Sequence, residues 1–523
     1  MKRRDFLYFI SGAASLAVRP GIGTCLLAGG KEQGISAGII GMYVHQHWPY
    51  NHPYAARTWT IEDWRGFAGG LKHLSYNTIM IWPMLETMPD PLTPSDRASL
   101  EKHARVIDVL HNELGMRVMI VWCPNIIANS RAAQATYETR HYYYSDQRIN
   151  PAAKAAMAKM IAWREKLLSY LAHTDAVVII DSDPGGYPGS TDAEFVALLG
   201  EHRKMLDRIR PGIELDYWVL WGWQAWSRFY ATGKLRKDDA ELLDTVARFR
   251  DLNPEPWGLA NGLPYAAKLG IASRVISYNY GQIEGEPSFP MTNFGGDGAY
   301  EAGAHPGPRG VMGNAQTHCV QLPNIFAFAR GAAGKPVAEA DYVDFANALI
   351  SGKGREIVDA WKALSGEDAS LMRAQASIIR KAATQKLAPG RLRGLLFGDP
   401  ARFMNDLVMQ LELKASYKDF LRVSRNGRKV KPALVLFISA AAAWQKQHGY
   451  QNRWHWPGLY EALDKLNSPE INSLLRVRLR AMRSPEGGME LTGHGNLARF
   501  LYDGETFTTT LLAAMKKAAA AMP

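Results

Sequence analysis

From Gly38 to Ala333 the chain alternates short apolar runs, rich in β-branched residues, with longer amphipathic segments. This alternation is the strongest constraint on the fold. Runs too short for buried helices, each followed by a helix-length segment, assemble as parallel strands covered by helices. Strands are expected at Gly38–Val44, Asn77–Trp82, Met116–Trp122, Val177–Ile180, Ile213–Leu220, Trp257–Leu259, Arg274–Tyr278 and Arg309–Gly313. Thr60 is placed to cap a helix running through His73, with Glu62 and Asp63 in the first turn, where the helix dipole favours acid. Gly115 closes another from Ser95 to Leu114. Further helices are expected at Pro151–Ala172, Asp192–Ile209, Lys237–Leu252 and Pro323–Arg330, with a helical turn at Tyr265–Lys268. Eight such units predict an α/β fold, a (β/α)8 TIM barrel. The alternative is a doubly wound sheet, but no Gly-rich phosphate fingerprint follows the first strand.

Near Val337 the alternation stops. Tyr342–Ile350, Gly354–Leu364, Asp368–Ala383, Pro400–Leu413, Pro432–His448 and Leu459–Leu466 all read as helices, so a barrel over 36–335 is followed by an all-helical domain over 336–523. At the other end, Lys2-Arg3-Arg4-Asp5-Phe6-Leu7 precedes a mildly apolar run from Tyr8 to Val18. Paired arginines, one polar residue and Phe-Leu are the pattern of a twin-arginine export signal, which with its linker would occupy 1–35. The apolar run is too short to span a bilayer. The expectation is a periplasmic or secreted protein with no membrane contact after signal removal.

The net charge of +11 is spread along the chain, with concentrations near Arg391, Arg393, Arg425, Arg428, Lys429 and Lys431, and predicts no nucleic-acid partner. The three cysteines, Cys25, Cys123 and Cys319, have neither metal nor disulfide spacing. No cofactor motif is present.

The fourth strand ends in Asp181-Ser182-Asp183-Pro184-Gly185-Gly186. Two aspartates at i and i+2 of an extended chain point the same way, with α-carbons ~6–7 Å apart. An Asx turn before Pro-Gly-Gly is the plainer reading. In a (β/α)8 barrel, however, the strand C-termini build the active site. The other strand ends supply His45, His47 and Trp48; Trp82 and Glu86; Asn125; Trp221, Trp223 and Gln224; Tyr278, Glu284 and Glu286; and Asn314, Gln316 and His318. Aromatic faces stack on sugar rings, while amides, imidazoles and carboxylates bond hydroxyls. A carbohydrate substrate is therefore expected. The Tyr137–Tyr144 stretch lies in a long connection suited to lining the cleft.

Glycoside hydrolysis needs two carboxyl groups flanking the scissile bond, or one acid plus a substrate N-acetyl group that acts as nucleophile. Asp181 or Asp183 with Glu284 or Glu286 satisfies the first scheme, and the two strand-four aspartates satisfy the second. The order of a His/aromatic rim after strand one, acids after strand four and an aromatic tail after strand five resembles (β/α)8-barrel glycoside hydrolases, nearest to the β-N-acetylhexosaminidase and N-acetylglucosaminidase-like families. The resemblance covers Gly38 to Ala333 and implies catalytic roles for Asp181 and Asp183. Hexosaminidases carry adjacent Asp-Glu where this chain has Asp-Ser-Asp, and their preceding β-sandwich has no counterpart here. Two other readings stand beside it. His45-Gln46-His47 has the spacing that opens the metal site of amidohydrolase barrels, although the remaining histidines of that site are missing. A non-catalytic carbohydrate-binding barrel would use the same aromatic rim.

Overall fold

A computed structural model of the chain describes residues 38–47, 50–140, 145, 147–182, 185–225, 227–228, 239–278, 297–315, 318–427, 429–449, 458–474 and 504–522. Eight parallel strands close a barrel in sequential order: β1 Ile39–Val44, β2 Thr78–Ile81, β3 Arg117–Trp122, β4 Ala176–Ile180, β5 Glu214–Trp218, β6 Trp257–Ala260, β7 Val275–Tyr278 and β8 Gly310–Ala315. β8 returns to pair with β1, Ile39 opposite Gly310 and Val44 opposite Ala315. Each strand is followed by a helix: α1 Ile61–His73, α2 Pro94–Asn112, α3 Lys154–Ser169, α4 Asp192–Ile209, α5 Asp239–Leu252, α6 Leu263–Lys268, α7 Asp297–Ala304 and α8 Leu322–Ala332. The expected (β/α)8 barrel is therefore the fold.

Local chemistry starts these helices. Thr60, Thr93 and Thr191 each accept from the backbone three residues on, and Asp63, Asp96 and Glu194 reach back to the cap. The strands are covered on both faces, which is why their apolar runs do not alternate; every residue of β4 is buried.

After the barrel come α9 Glu339–Leu349, α10 Gly354–Ser365, α11 Ala369–Ala383, α12 Pro400–Asn426, α13 Val430–His448, α14 Leu459–Asp464 and α15 Gly504–Ala521, with one two-residue ladder between Ile350–Ser351 and Ala388–Pro389. Helix α12 extends well past the expected end at Leu413. Its apolar period continues through Tyr417 and Phe420, and the chain breaks only at Gly427, whose φ of 68° favours glycine. Its first half packs in the barrel's core and its second half in a separate core shared with α13, α14 and α15. Among the described residues no helix is long and apolar enough to cross a membrane. The proposed export signal lies outside them.

The N-terminal end of the barrel is closed by charge. Glu214 at the start of β5 receives Arg309 at 2.7 Å and Arg117 at 2.5 Å. Asp216, one pleat higher, is fully buried beside it. Gly258 on the neighbouring strand makes room, because a Cβ there would collide with Arg309, Asp216 and Glu214. Burial raises the Glu214 carboxyl, but hydrogen bonding to Arg309 and the charges of Arg309 and Arg117 reverse this and hold it low. Burial, then the Glu214 charge, pushes Asp216 well above the usual carboxylate range. Of the two carboxyls, Asp216 is thus the one whose neutral form is favoured.

The pH dependence follows. A carboxyl with a raised folded pKa contributes stability below its unfolded pKa and loses it as pH rises. Asp216→Asn removes that loss. Relative to wild type, the melting temperature of Asp216→Asn should rise steadily between pH 4 and pH 8; a difference that stays constant would show that Asp216 is ionised in the folded protein.

Candidate active site

The strand-four carboxylate organises one side of the mouth. Asp181 has 0% exposure. Its Oδ2 accepts from the Leu220 N–H and Gly222 N–H, each at 3.1 Å, and from the Tyr217 hydroxyl at 3.1 Å. Its Oδ1 accepts from the Trp221 N–H at 3.2 Å and the Ser182 hydroxyl at 2.6 Å. Three successive backbone N–H groups of the turn after β5 therefore converge on one carboxylate. Burial raises the Asp181 pKa, and the hydroxyl and N–H donors offset part of the rise. The turn in turn grips the loop after β4. Gln224 Nε2 donates to the Ser190 carbonyl at 2.9 Å and to that of Tyr187, and Trp223 Nε1 donates to the Ser190 hydroxyl at 3.0 Å. Gly186, at φ 90°, passes so close to the Trp223 carbonyl that a Cβ there would collide.

The floor of the mouth is aromatic. Trp218 stands edge-on to Tyr43 with ring centroids 6.0 Å apart and packs against Tyr278 at 4.5 Å. Tyr43 stacks on Trp82 at 6.3 Å, and His47 meets Trp82 edge-on at 4.3 Å. Half-buried His45 lies with its ring nitrogens 2.6 and 2.7 Å from His47 Nδ1. Burial, the charge of His45 and that of Arg57 lower the His47 pKa well below the ordinary value, so the pair carries at most one added proton. Behind it, buried Arg57 donates to the Gln46 carbonyl at 2.8 Å and the His47 carbonyl at 2.5 Å. Tyr137 does not line the cleft: it is buried beneath this rim and donates to Gln46 Oε1 at 2.7 Å.

The structure brings His45, His47, Trp82, Tyr278 and buried Asn314 to the barrel mouth, with Trp221 half-buried on the strand-five turn. Others belong to the scaffold. Trp223 is buried and stacks on Phe195 of α4 at 4.8 Å. Asn125 is buried and donates to the Ile149 and Gly186 carbonyls at 2.9 and 3.1 Å, pinning two loops together. His318 points away from the mouth, into a cage of Trp59 at 5.3 Å and Phe67 at 5.2 Å, and neither ring nitrogen has a hydrogen-bond partner among the described residues. It follows the end of β8 by three residues, after the chain has turned outward into the helical layer. Glu86 is also spent: its Oε1 accepts from the Cys123 N–H at 2.5 Å and from Trp82 Nε1 at 3.1 Å. Trp48, Asp183, Glu284, Glu286 and Gln316 lie outside the described residues. Sequence reasoning missed Trp218, Tyr43 and Arg57; the first two occupy the last strand pleats facing the mouth, a position the period-two pattern marks.

Among the described residues no cluster of three or more His, Cys, Asp or Glu is placed to hold a metal. The His45–His47 separation is also that of a hydrogen bond. Two imidazole nitrogens bound to one zinc at about 2.0–2.1 Å stand roughly 3.2 Å or more apart in a tetrahedral shell.

No family model matches the chain, and no curated protein matches it. Solved structures do. A family 89 glycoside hydrolase from Clostridium perfringens in complex with 2-acetamido-1,2-dideoxynojirmycin is similar at 10% identity and a TM-score of 0.49, over 99% of this chain and 68% of that one. The same enzyme in complex with PUGNAc gives a TM-score of 0.47 at the same identity and coverage. A GH138 enzyme targeting pectin rhamnogalacturonan II is similar at 9% identity and a TM-score of 0.42, over 80% of this chain; the chain spans 63% of that enzyme's length.

Two stability measurements test these placements. His318 is held at a pKa of about 3 by burial, against 6.5 free. A histidine with a depressed folded pKa gives stability that is present above its unfolded pKa and is lost as pH falls. Relative to wild type, His318→Leu should therefore gain about 2 kcal/mol in unfolding free energy between pH 8 and pH 5; no gain would place a proton on His318 in the fold. Asp181→Asn leaves donors of the strand-five turn unmatched and should cost about 2–3 kcal/mol in denaturant melts. Full stability in that variant would show that the carboxylate is not the anchor of the turn.

Proposed function

We propose that the chain is a glycoside hydrolase acting on a glycan or glycoconjugate. One observation carries this reading. In the six residues that follow each of the eight barrel strands there is no Lys or Arg, in a chain that has 61 of them. Phosphate and nucleotide substrates are commonly held by such cations. The same segments hold Trp, Tyr, His, Asn and Gln, which suit neutral polyhydroxyl rings, and four acids: Glu86, Asp181, Asp183 and Glu284.

Two of those four, Glu86 and Asp181, are enclosed and committed to protein donors. The reading therefore assigns the chemistry to the other two acids, Asp183 after strand four and Glu284 after strand seven. In this reading Asp183 protonates the glycosidic oxygen as the bond breaks. As that oxygen leaves, Glu284 either attacks the anomeric carbon, giving a glycosyl–enzyme ester that water then hydrolyses with Asp183 as base, or activates the water that attacks directly, according to whether the carboxyls stand about 5 Å or a water's width farther apart. Asp181 changes role, from candidate proton donor to the residue that holds the strand-five turn. The substrate-assisted scheme loses support, because both Asp181 oxygens are already bonded within the protein and leave none to orient an N-acetyl group. N-acetylhexosaminides stay first in the substrate panel on the strength of the strand-four resemblance. Export through the twin-arginine signal belongs to the same proposal. The absence of histidine from the six residues after strand five and after strand six favours this reading over the amidohydrolase alternative.

Variants on an aryl-glycoside panel test it. Asp183→Asn and Glu284→Gln should each lower kcat about 10²–10⁴-fold with unchanged melting temperature. Turnover of any panel member that survives both substitutions would overturn the assignment.

A further inference from the structure

The C-terminal helices do more than cover the barrel. The core of α12–α15 contains five residues from the barrel region: Tyr50, Tyr54 and Ala55 after β1, and Cys319 and Val320 after β8. β1 and β8 are neighbours in the barrel, so the helical layer grips one sector of the rim. The grip is polar as well as apolar. The Tyr54 hydroxyl donates to Asp406 Oδ1 of α12 at 2.6 Å, Arg402 donates to the other Asp406 oxygen, and Gln447 of α13 donates to the Tyr54 oxygen at 3.1 Å. Asn51 donates from its backbone to the His448 carbonyl at 3.0 Å and from Nδ2 to the Lys446 and Gln447 carbonyls at 3.0 and 3.1 Å, satisfying the open end of α13. Gly449, at φ 97°, pairs with Tyr50 at a distance that excludes a side chain.

Three residues after Tyr54, Arg57 carries the restraint to the mouth. It holds the carbonyls of Gln46 and His47 on one side and that of Arg140, at 2.6 Å, on the other. We infer that the Tyr54–Asp406 hydrogen bond makes the helical layer a positioning element of the active site: it orders the 50–57 segment, and through Arg57 that segment sets the His45–His47 edge of the mouth. Tyr54 and Asp406 are positioning residues that touch no substrate. The role in catalysis rests on the proposed glycosidase reading; the ordering of the segment does not.

Hydrogen exchange and kinetics on the full chain separate the two. In Tyr54→Phe and Asp406→Asn, peptides covering 50–57 should exchange at least about tenfold faster, with the β4 peptide unchanged. The value of kcat/KM on the best glycoside should fall about tenfold, mainly through KM. The double variant should be no worse than the more severe single, as for one shared interaction. Unchanged exchange in both singles overturns the latch. Faster exchange with unchanged kcat/KM overturns its role at the site. If wild type cleaves no glycoside, the glycosidase reading fails, and exchange alone decides the latch.

Discussion

A buried carboxylate must find donors, and where Asp181 finds them shapes one side of the mouth. Its five hydrogen bonds draw the turn after β5 under the end of β4, and that turn then holds the β4 loop through Gln224 and Trp223. An unsatisfied carboxylate inside a barrel is far costlier than a satisfied one. Turn and carboxylate therefore form together or not at all. With Asp181 committed inward, the proposed glycosidase reading gives the strand-four proton donor's role to Asp183, two residues on.

The barrel is polar at both ends and apolar in its wall. Glu214, Asp216, Arg117 and Arg309 fill the N-terminal end, where burial and the Glu214 charge favour the neutral form of Asp216. Tyr43, Trp82, Trp218 and Tyr278 form the floor at the other end, and the imidazoles of His45 and His47 stand at its edge. With aromatic residues and acids but no Lys or Arg in the six residues after each strand, that end suits a neutral ring substrate in the proposed reading. The C-terminal helices anchor the β1 side of it through Tyr54 and Asp406.

Much of the fold was legible because the barrel imposes one pattern eight times. β6 is only four residues and includes Gly258, a poor strand former on its own; its place in the series, rather than its composition, identified it. The threonine caps were legible too, since a capping box is a local interaction three residues wide. The site was legible by neighbourhood but not by role. Asp181 and Asp183 look alike in sequence, and what fixes the place of Asp181 is a turn some forty residues downstream. His318 and Trp223 read as rim residues because they lie close to strand ends, yet by those points the chain has turned into the helical layer. The second half of α12 was missed because its stop signal is a single glycine whose left-handed backbone is not visible in composition.

The central claim is that water attacks a glycosidic carbon at this mouth. Cleavage of the best panel substrate in ¹⁸O-labelled water, followed by mass spectrometry of both products, tests it most directly. The account predicts one ¹⁸O at the anomeric carbon of the released sugar and none in the aglycone. Label in the aglycone, or cleavage without incorporation into the sugar, would contradict it.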